Sequence, residues 1–176
     1  MTVITPDPSN HDTEPKQLRK VRRIIETKHF ATLATTSPAG RSHVAGVLYD
    51  RADGALWVHT IRSSRKARSI AANPHVAVCI PFRKLPAGPP YTVHFQATAR
   101  LVDMDDQEAV DLLAAGAMKT VSAHGALNEP DGVFIQIRPN ETVHSYGLGA
   151  NPLDLIRDPL HSGARTVHFD DQDGMR

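Results

Sequence analysis

The fold of this chain is decided by the stretch Val58-His59-Thr60-Ile61-Arg62-Ser63-Ser64-Arg65-Lys66-Ala67-Arg68-Ser69-Ile70-Ala71-Ala72-Asn73-Pro74. It begins as a strand, because apolar and aromatic residues at positions 56–58 follow a turn. The pattern then changes to the helical spacing i, i+3, i+4 at Ala67, Ile70 and Ala71. Serines before these residues and a proline after them favour a short, bounded helix. The sequence therefore predicts a strand that leads directly into a short helix.

Two cations occupy the first turn of this predicted helix. Arg65 and Lys66 lie there, where the positive end of the helix dipole repels them. An anion bound at that end would remove the conflict, since free N–H groups, serine hydroxyls, a guanidinium and an ammonium together make a phosphate site. The alternative is a solvated basic face that also includes Arg62 and Arg68. No glycine-rich loop of the P-loop or Rossmann type is present.

Length and composition limit the possible classes of protein. The chain has 176 residues, enough for one domain with a core, and its net charge of +1 gives no reason to expect a nucleic-acid partner. No apolar run reaches membrane-spanning length, and the polar start of the chain does not resemble a signal peptide. The single cysteine, Cys79, excludes an internal disulfide and is interpreted as a small buried hydrophobe. We therefore expect a cytoplasmic protein that does not enter a membrane.

The rest of the chain is rich in predicted strands. Residues 1–15 are interpreted as a disordered arm, and residues 16–28 as an amphipathic helix. Asp103 to Asp106 should begin a second helix that runs to about Val121. Strands are predicted at 30–36, 43–49, 55–60, 76–82 and 91–102, with a final pair at 133–137 and 142–146 separated by a turn at 138–140. Hairpins in this order favour a small antiparallel barrel rather than a βαβ array.

Three connecting segments complete this organisation. Residues 50–54 are predicted as a turn, and Arg83 to Pro90 as a surface loop that could form a rim over a site. In the tail, Leu153, Leu155 and Ile156 are candidates to dock, whereas residues 165–176 are expected to fray. The domain boundaries are therefore placed at 1–15 for the arm, 16–147 for the barrel and 148–176 for the tail.

The sequence resembles the pyridoxamine 5′-phosphate oxidase-like superfamily of flavin- and deazaflavin-binding proteins. The resemblance is carried by Phe30 to Thr35, by the turn at Gly40, by His43 to Tyr49, and most specifically by Thr60 with Ser64-Arg65-Lys66 and Asn73-Pro74. It extends over roughly residues 16 to 146. It implies a mainly β (α+β) fold, a six-stranded antiparallel split β-barrel of the FMN-binding type with flanking helices. It also implies a homodimer with the cofactor at the subunit boundary.

The resemblance assigns roles to individual residues. The cofactor phosphate would be bound by Thr60, Ser64, Arg65 and Lys66. The isoalloxazine ring would lie along Val47, Leu48 and Tyr49, with His59 near it and Gln96 at a ring edge. Ordinary barrel packing is the alternative for each strand residue. Arg62, with Arg83 and Lys84 as further candidates, could extend the positive groove and so accommodate the longer anionic tail of the deazaflavin coenzyme F-420, whereas FMN needs only the compact phosphate site. Solvated loop charges are the alternative for Arg83 and Lys84. FMN is the expected cofactor and F-420 the alternative.

The activity implied is that of an FMN- or F-420-dependent oxidoreductase acting on a small organic substrate. The chain departs from the vitamin B6 oxidases, because Tyr49 stands where they have a basic residue and their C-terminal substrate arginines have no match. It looks closer to the actinobacterial flavin/deazaflavin oxidoreductases. The alternative is a non-catalytic carrier of FMN, deazaflavin or haem on the same barrel, with a single histidine as the haem ligand. The ten histidines show no metal-site spacing, so no metal site is predicted.

Overall fold

The computed structural model describes residues 16–83, 91–123, 125–158 and 163–168. Four helices and eight strands are present in these ranges. The helices are α1 (Lys16–Thr27), α2 (Arg65–Ala72), α3 (Gln107–Ala114) and α4 (Pro152–Arg157). The strands are β1 (Phe30–Thr36), β2 (Ser42–Leu48), β3 (Asp50–Ala52), β4 (Ala55–Ile61), β5 (His75–Phe82), β6 (Tyr91–Val102), β7 (Gly132–Tyr146) and β8 (Ala164–His168).

All eight strands belong to one sheet that curls into a half-barrel. Their order is β2-β1-β5-β6-β7-β4-β3, and β8 pairs with β7 beside this path. Each of the strand pairs is antiparallel. The predicted mainly β fold with flanking helices is therefore confirmed, although the sheet has eight strands rather than six. The helix α2 lies between β4 and β5 along the chain, as the opening stretch of sequence predicts.

Alternating side chains separate an inner face of the sheet from an outer face. Along β6, Val93, Phe95 and Ala97 are buried whereas His94 and Gln96 are exposed. The inner face packs against α1 through its buried residues Leu18, Val21 and Ile25. A second apolar cluster surrounds Trp57 and Phe134, whose rings meet edge to face at 6.2 Å, and it includes residues of α3. Burial on one face explains why the alternation of β6 predicts its bounds correctly.

The predicted turn at residues 138–140 is wrong. Strand β7 continues through it, and the register with β6 shifts between the pairs Phe95–Val143 and Ala97–Pro139. Two residue steps along β6, from 95 to 97, therefore correspond to four steps along β7, from 143 to 139, which is a bulge. Proline cannot donate to a ladder hydrogen bond, so within a sheet it is found at edges and at bulges of this kind. The Pro-Asn signal is real, but it bends the strand instead of reversing it.

Three further expectations need correction. Residues 50–52 are a strand rather than part of a turn, because they pair with residues 55–57 of β4. The buried Asp50 carboxylate also accepts hydrogen bonds from the backbone N–H groups of Thr120 (2.7 Å) and Val121 (3.0 Å). Helix α3 ends at residue 114, and Gly116 follows with a positive φ of 70°, a conformation that ends helices. Residues 165–168 do not fray as expected but, together with Ala164, pair with β7.

The C-terminal tail docks in part. Leu155 on α4 is buried, whereas Leu153 on the same helix is exposed. The predicted arm at 1–15, the loop from Lys84 to Pro90 and the end of the tail lie outside the described residues. In the part of the chain that is described, no helix is long and apolar enough to cross a membrane.

Candidate functional site

The N-terminus of α2 is held in place by two hydroxyl side chains. Ser64 is the N-cap, and its Oγ accepts a hydrogen bond from the backbone N–H of Ala67 at 3.3 Å. The Thr60 hydroxyl, at the end of β4, donates to the Ser64 Oγ at 3.3 Å. The serine cap predicted from sequence is therefore present. Thr60 and Ser64 stabilise the helix start, and their hydroxyls already have partners inside the protein.

The loop before α2 is fixed by Asp131, just before β7. The Asp131 carboxylate accepts from the Ser63 N–H at 2.9 Å, and the Asp131 carbonyl accepts from the Arg62 N–H at 2.8 Å. Hydrogen bonds from Ser63 hold the pKa of Asp131 below its ordinary value. The Arg62 side chain forms an ion pair with Asp103. Arg62 is thus paired with a carboxylate across the loop, and its predicted contact with a cofactor stays a prediction.

A pocket of about 450 Å³ lies between α2 and the turn that joins β1 to β2. One face of α2 supplies Arg65, Arg68 and the buried Ser69, at the spacing i, i+3, i+4. The turn supplies Arg41 and His43 together with small residues, namely Ser37, Pro38, Ala39 and Ser42. Three guanidinium groups and one imidazole line the pocket, with no carboxylate among its described residues. This is an electropositive pocket of a size that accepts a phosphate group.

The arginines of this pocket form no ion pairs with acidic side chains in the described part of the chain. None of the ion pairs formed among the described residues involves Arg41, Arg65 or Arg68. The His43 Nδ1 atom is buried and has no hydrogen-bond partner there either. Three guanidinium groups without carboxylate partners among the described residues indicate an anionic acceptor that these residues do not provide. An anionic ligand fits both observations.

Lys66 lies on another side of α2, about 100° around the helix axis from Arg65. Burial lowers the pKa of its ammonium group. Its charge is felt by His59 on β4, whose pKa is lowered mainly by burial, with Glu129 opposing and Lys66 adding to the shift. The His59 ring meets Phe134 edge-on at 5.6 Å, and its buried Nε2 atom has no partner within the described chain. A second orphan nitrogen therefore lies on the Lys66 side of the helix.

The three predicted ring contacts on and after β2 differ in exposure. Leu48 is 55% exposed and lies on the outer face, where Val44 and Phe30 are also exposed. Val47 is buried in the core. Tyr49 is also buried, its hydroxyl donates to the Ile25 carbonyl at 3.0 Å, and burial raises its pKa. A ligand on this strand would thus contact the Leu48 side chain and the backbone, whereas the other two side chains pack inward.

A larger groove of about 990 Å³ runs over the outer face of β1, β5, β6 and β7. Gln96 lies in it, on the face of the sheet opposite to the core. The groove also contains apolar and titratable side chains, among them Ala34, Val44, Cys79, His94, Glu141 and His144. The structure therefore brings together Thr60, Ser64, Arg65 and, on the adjoining side, Lys66 and His59. It places Gln96 in a different pocket from the α2 cations.

Sequence reasoning missed the contribution of the β1–β2 turn to the cationic pocket. The sequence pattern does not indicate Arg41 or His43 as ligand-binding residues, and it indicates Arg68 only as part of a solvated face, yet all three line the pocket. The spacing of Arg65, Arg68 and Ser69 on one helix face was an available signal. The turn could not be placed against α2 without the pairing of β1 with β5. Among the described residues, no group of three or more His, Cys, Asp or Glu side chains could hold a metal ion.

These features define a class of protein. A curled antiparallel half-barrel with a cation-bearing helix inserted after the fourth strand has the architecture of the split-barrel cofactor-binding proteins. The family model for pyridoxamine 5′-phosphate oxidase matches residues 18–145. Since this match extends over most of the chain, the protein belongs to the pyridoxamine 5′-phosphate oxidase family. No curated protein sequence matches it.

Solved structures of the same fold include proteins with different ligands. The haem storage protein HutZ from Vibrio cholerae superposes with a TM-score of 0.65 at 18% identity, over 77% of this chain and 98% of its own. An FMN-binding protein related to pyridoxamine 5′-phosphate oxidase from Nostoc punctiforme gives 0.54 at 19% identity, over 90% and 89%. An FAD-binding protein from Mesorhizobium loti gives 0.59 at 20% identity, over 72% and 91%. At these identities the similarity establishes the fold alone.

Proposed function

We propose that this protein is an oxidoreductase that binds FMN, with the phosphate of the cofactor in the pocket between α2 and the β1–β2 turn. The observation that carries the proposal is the lining of that pocket. Arg41, Arg65 and Arg68 meet there with no carboxylate among the described lining residues, beside the unpartnered Nδ1 of His43. Charge-assisted hydrogen bonds from guanidinium groups to phosphate are strong, and their fork geometry suits phosphate oxygens.

The first turn of α2 supplies the remaining contacts. Its free N–H groups and the helix dipole favour a negative group, and the Ser64 cap holds that turn in position. Lys66 and His59 on the adjoining side would face the part of the cofactor beyond the phosphate. When bound, the flavin supplies the hydride chemistry, and the protein supplies binding, orientation and a shielded environment. No side-chain nucleophile is required.

A second copy of the chain would complete the site. Leu48, Val44 and Phe30 form an exposed apolar strip on β1 and β2, which suits the flat face of an isoalloxazine ring. Gln96 lies in the outer groove and not beside α2. Val44 lines that groove as well, so a ring on the strip would lie beside Gln96 of the same chain, and a partner subunit would cover its exposed side. This arrangement is the reason to propose a homodimer with the cofactor at the boundary.

FMN is favoured over the deazaflavin coenzyme F-420 by the state of Arg62. That side chain is paired with Asp103, so it does not extend the positive surface toward a longer anionic tail. The cations that remain around the pocket form a compact set. F-420 stays the alternative cofactor, and a non-catalytic carrier of flavin or haem stays the alternative role.

A comparison of FMN with riboflavin tests the proposal, because the two differ only in the phosphate. Titration of the protein into each compound, followed by flavin fluorescence, should show FMN bound at least about ten-fold more tightly. Equal affinities would contradict the phosphate site. Tighter binding of F-420 than of FMN would indicate that F-420 is the cofactor. A Soret band after hemin addition, with no flavin binding, would favour the role of a haem carrier.

A second measurement separates the enzyme from the carrier. The FMN-loaded protein should transfer hydride from NADPH to menadione faster than an equal concentration of free FMN does. A rate equal to that of free FMN would indicate a carrier, even if FMN binds tightly.

A further inference from the structure

Two histidines face each other across neighbouring strands on the outer face of the sheet. His94 on β6 is directly opposite His144 on β7 in the antiparallel register. Their ring centroids are 5.6 Å apart and the ring planes are inclined by 27°. Both rings line the outer groove, and both residues are exposed. The flavin proposal does not use either of them.

A hydrogen bond orients one ring of the pair. The Nδ1 atom of His144 lies 3.0 Å from the hydroxyl of Thr166, its register partner on β8. With Nδ1–H donated to that hydroxyl, the Nε2 lone pair of His144 is directed elsewhere. Metal-binding histidines commonly have such an outer hydrogen bond, which fixes the tautomer and the direction of the ring. Strand β8 therefore contributes to the site indirectly.

The surroundings of His94 favour its neutral form. Burial lowers the pKa of His94, and the nearby His144 lowers it further. Neutral imidazole is the form that ligates metals. Glu141 lines the same groove, and a carboxylate there favours a cation.

We propose that His94 and His144 bind one divalent transition-metal ion, with one imidazole nitrogen from each ring and the remaining positions filled by water or an added ligand. Metal–nitrogen distances of about 2.0–2.1 Å require ring centroids roughly 4.5–5 Å apart for neighbouring coordination positions. The observed centroid distance is 5.6 Å with the rings stacked, so metal binding requires both side chains to rotate until one nitrogen of each ring is directed at the ion. Two ligands per chain agree with the finding that the described residues form no three-ligand cluster.

Imidazole ligands select the kind of metal. Nitrogen donors suit copper, zinc and nickel, and affinity among divalent ions of this series is greatest for Cu²⁺. Mg²⁺ and Ca²⁺ prefer oxygen donors and should not bind here. Cys79 is opposite His94 on β5 and lines the groove, so a thiolate is close by for a metal that favours sulfur. Burial raises the pKa of this thiol, so binding of a metal to its sulfur would have to release a proton.

Cu²⁺ alone is the probe that tests the site. The full-length protein should bind it at close to one equivalent per chain in an isothermal titration, and the electron paramagnetic resonance spectrum should show coupling to two nitrogen nuclei. Loss of an outer hydrogen-bond partner already weakens metal sites by roughly 10–100-fold, so loss of a ligand in His94→Ala or His144→Ala should cost at least about ten-fold. The nitrogen coupling should also fall from two nuclei to one.

His75→Ala is the matched control, since His75 is an exposed histidine on β5 that lies outside the pair. It should leave both the affinity and the nitrogen coupling unchanged. Equal Cu²⁺ binding by wild type, His94→Ala and His144→Ala, with folding verified by circular dichroism, would overturn the proposal. An equal loss in His75→Ala would overturn it as well, since binding would then be spread over surface histidines. Retained FMN affinity in the pair variants would keep this result separate from the flavin proposal.

Discussion

Arg65→Ala should weaken FMN binding without affecting riboflavin. Arg65 is exposed and lines the pocket with Arg68, and neither forms an ion pair with another described residue. Each hydrogen bond to a charged group contributes about 1.5–3 kcal/mol, which corresponds to a loss of about ten-fold to 150-fold in affinity. Because the side chain is exposed, solvent screening places the expected loss near the lower end of this range. Arg68→Ala should behave similarly.

The assay is a fluorescence titration of each variant with FMN and with riboflavin at two salt concentrations. Arg19→Ala, an exposed cation on α1, is the matched control for a change in net charge and should bind FMN like the wild type. The difference between variant and wild type should shrink at high salt. An Arg65→Ala protein that binds FMN as well as the wild type would refute the phosphate pocket. An equal loss of riboflavin affinity would show that Arg65 acts on the fold instead.

Three further expectations concern stability and are measured by urea denaturation. Gly132→Ala should lower the free energy of unfolding by about 1–3 kcal/mol, because a Cβ there would overlap the Met104 sulfur and lie 2.8 Å from the Glu129 carbonyl oxygen. An unchanged urea midpoint would contradict this prediction. Asp50→Ala should lower the free energy of unfolding by at least about 2 kcal/mol, because it leaves the backbone N–H groups of Thr120 and Val121 unpaired. A loss below roughly 0.5 kcal/mol, the effect of an ordinary surface substitution, would refute that role. The pKa of His59 is lower in the folded than in the unfolded chain, so the unfolded chain binds more protons near pH 6 and stability should fall as the pH drops through the ordinary histidine range. His59→Asn should reduce that pH slope, and an identical slope would contradict the assignment.

The sequence predicted most of the sheet because one face of it is buried. The alternation along β6 fixes its bounds at Tyr91 and Val102, and the change from strand to helix spacing fixes the start of α2. Strands β3 and β8 were missed for different reasons. Strand β3 pairs with β4 over only three positions next to the Asp53-Gly54 turn, so the sequence does not separate it from that turn. Strand β8 has only partly buried and exposed residues and is held by main-chain pairing with β7, which a local pattern does not show.

The sequence predicts the part of the candidate site that lies on α2, but it does not predict the part that lies on the β1–β2 turn. Arg65 and Ser64 are identified by their positions relative to a helix start, which is a local property. Arg41 and His43 join the pocket only through the curl of the sheet, which brings the β1–β2 turn to the helix. The ion pair of Arg62 with Asp103 could not be predicted from a local pattern, because Asp103 lies about 40 positions further along the chain. Whether Val47 and Tyr49 contact a ring through their backbone is a prediction that the FMN-bound protein can test.

The proposed function depends above all on the binding of a phosphorylated flavin at the start of α2. The most direct measurement is the visible spectrum of the natively purified protein, followed by mass analysis of the small molecule that it releases on denaturation. We expect a flavin spectrum and a released compound with the mass of FMN, and we expect less bound flavin in Arg65→Ala than in the wild type. A colourless wild-type protein that gains no flavin spectrum after incubation with FMN would contradict it.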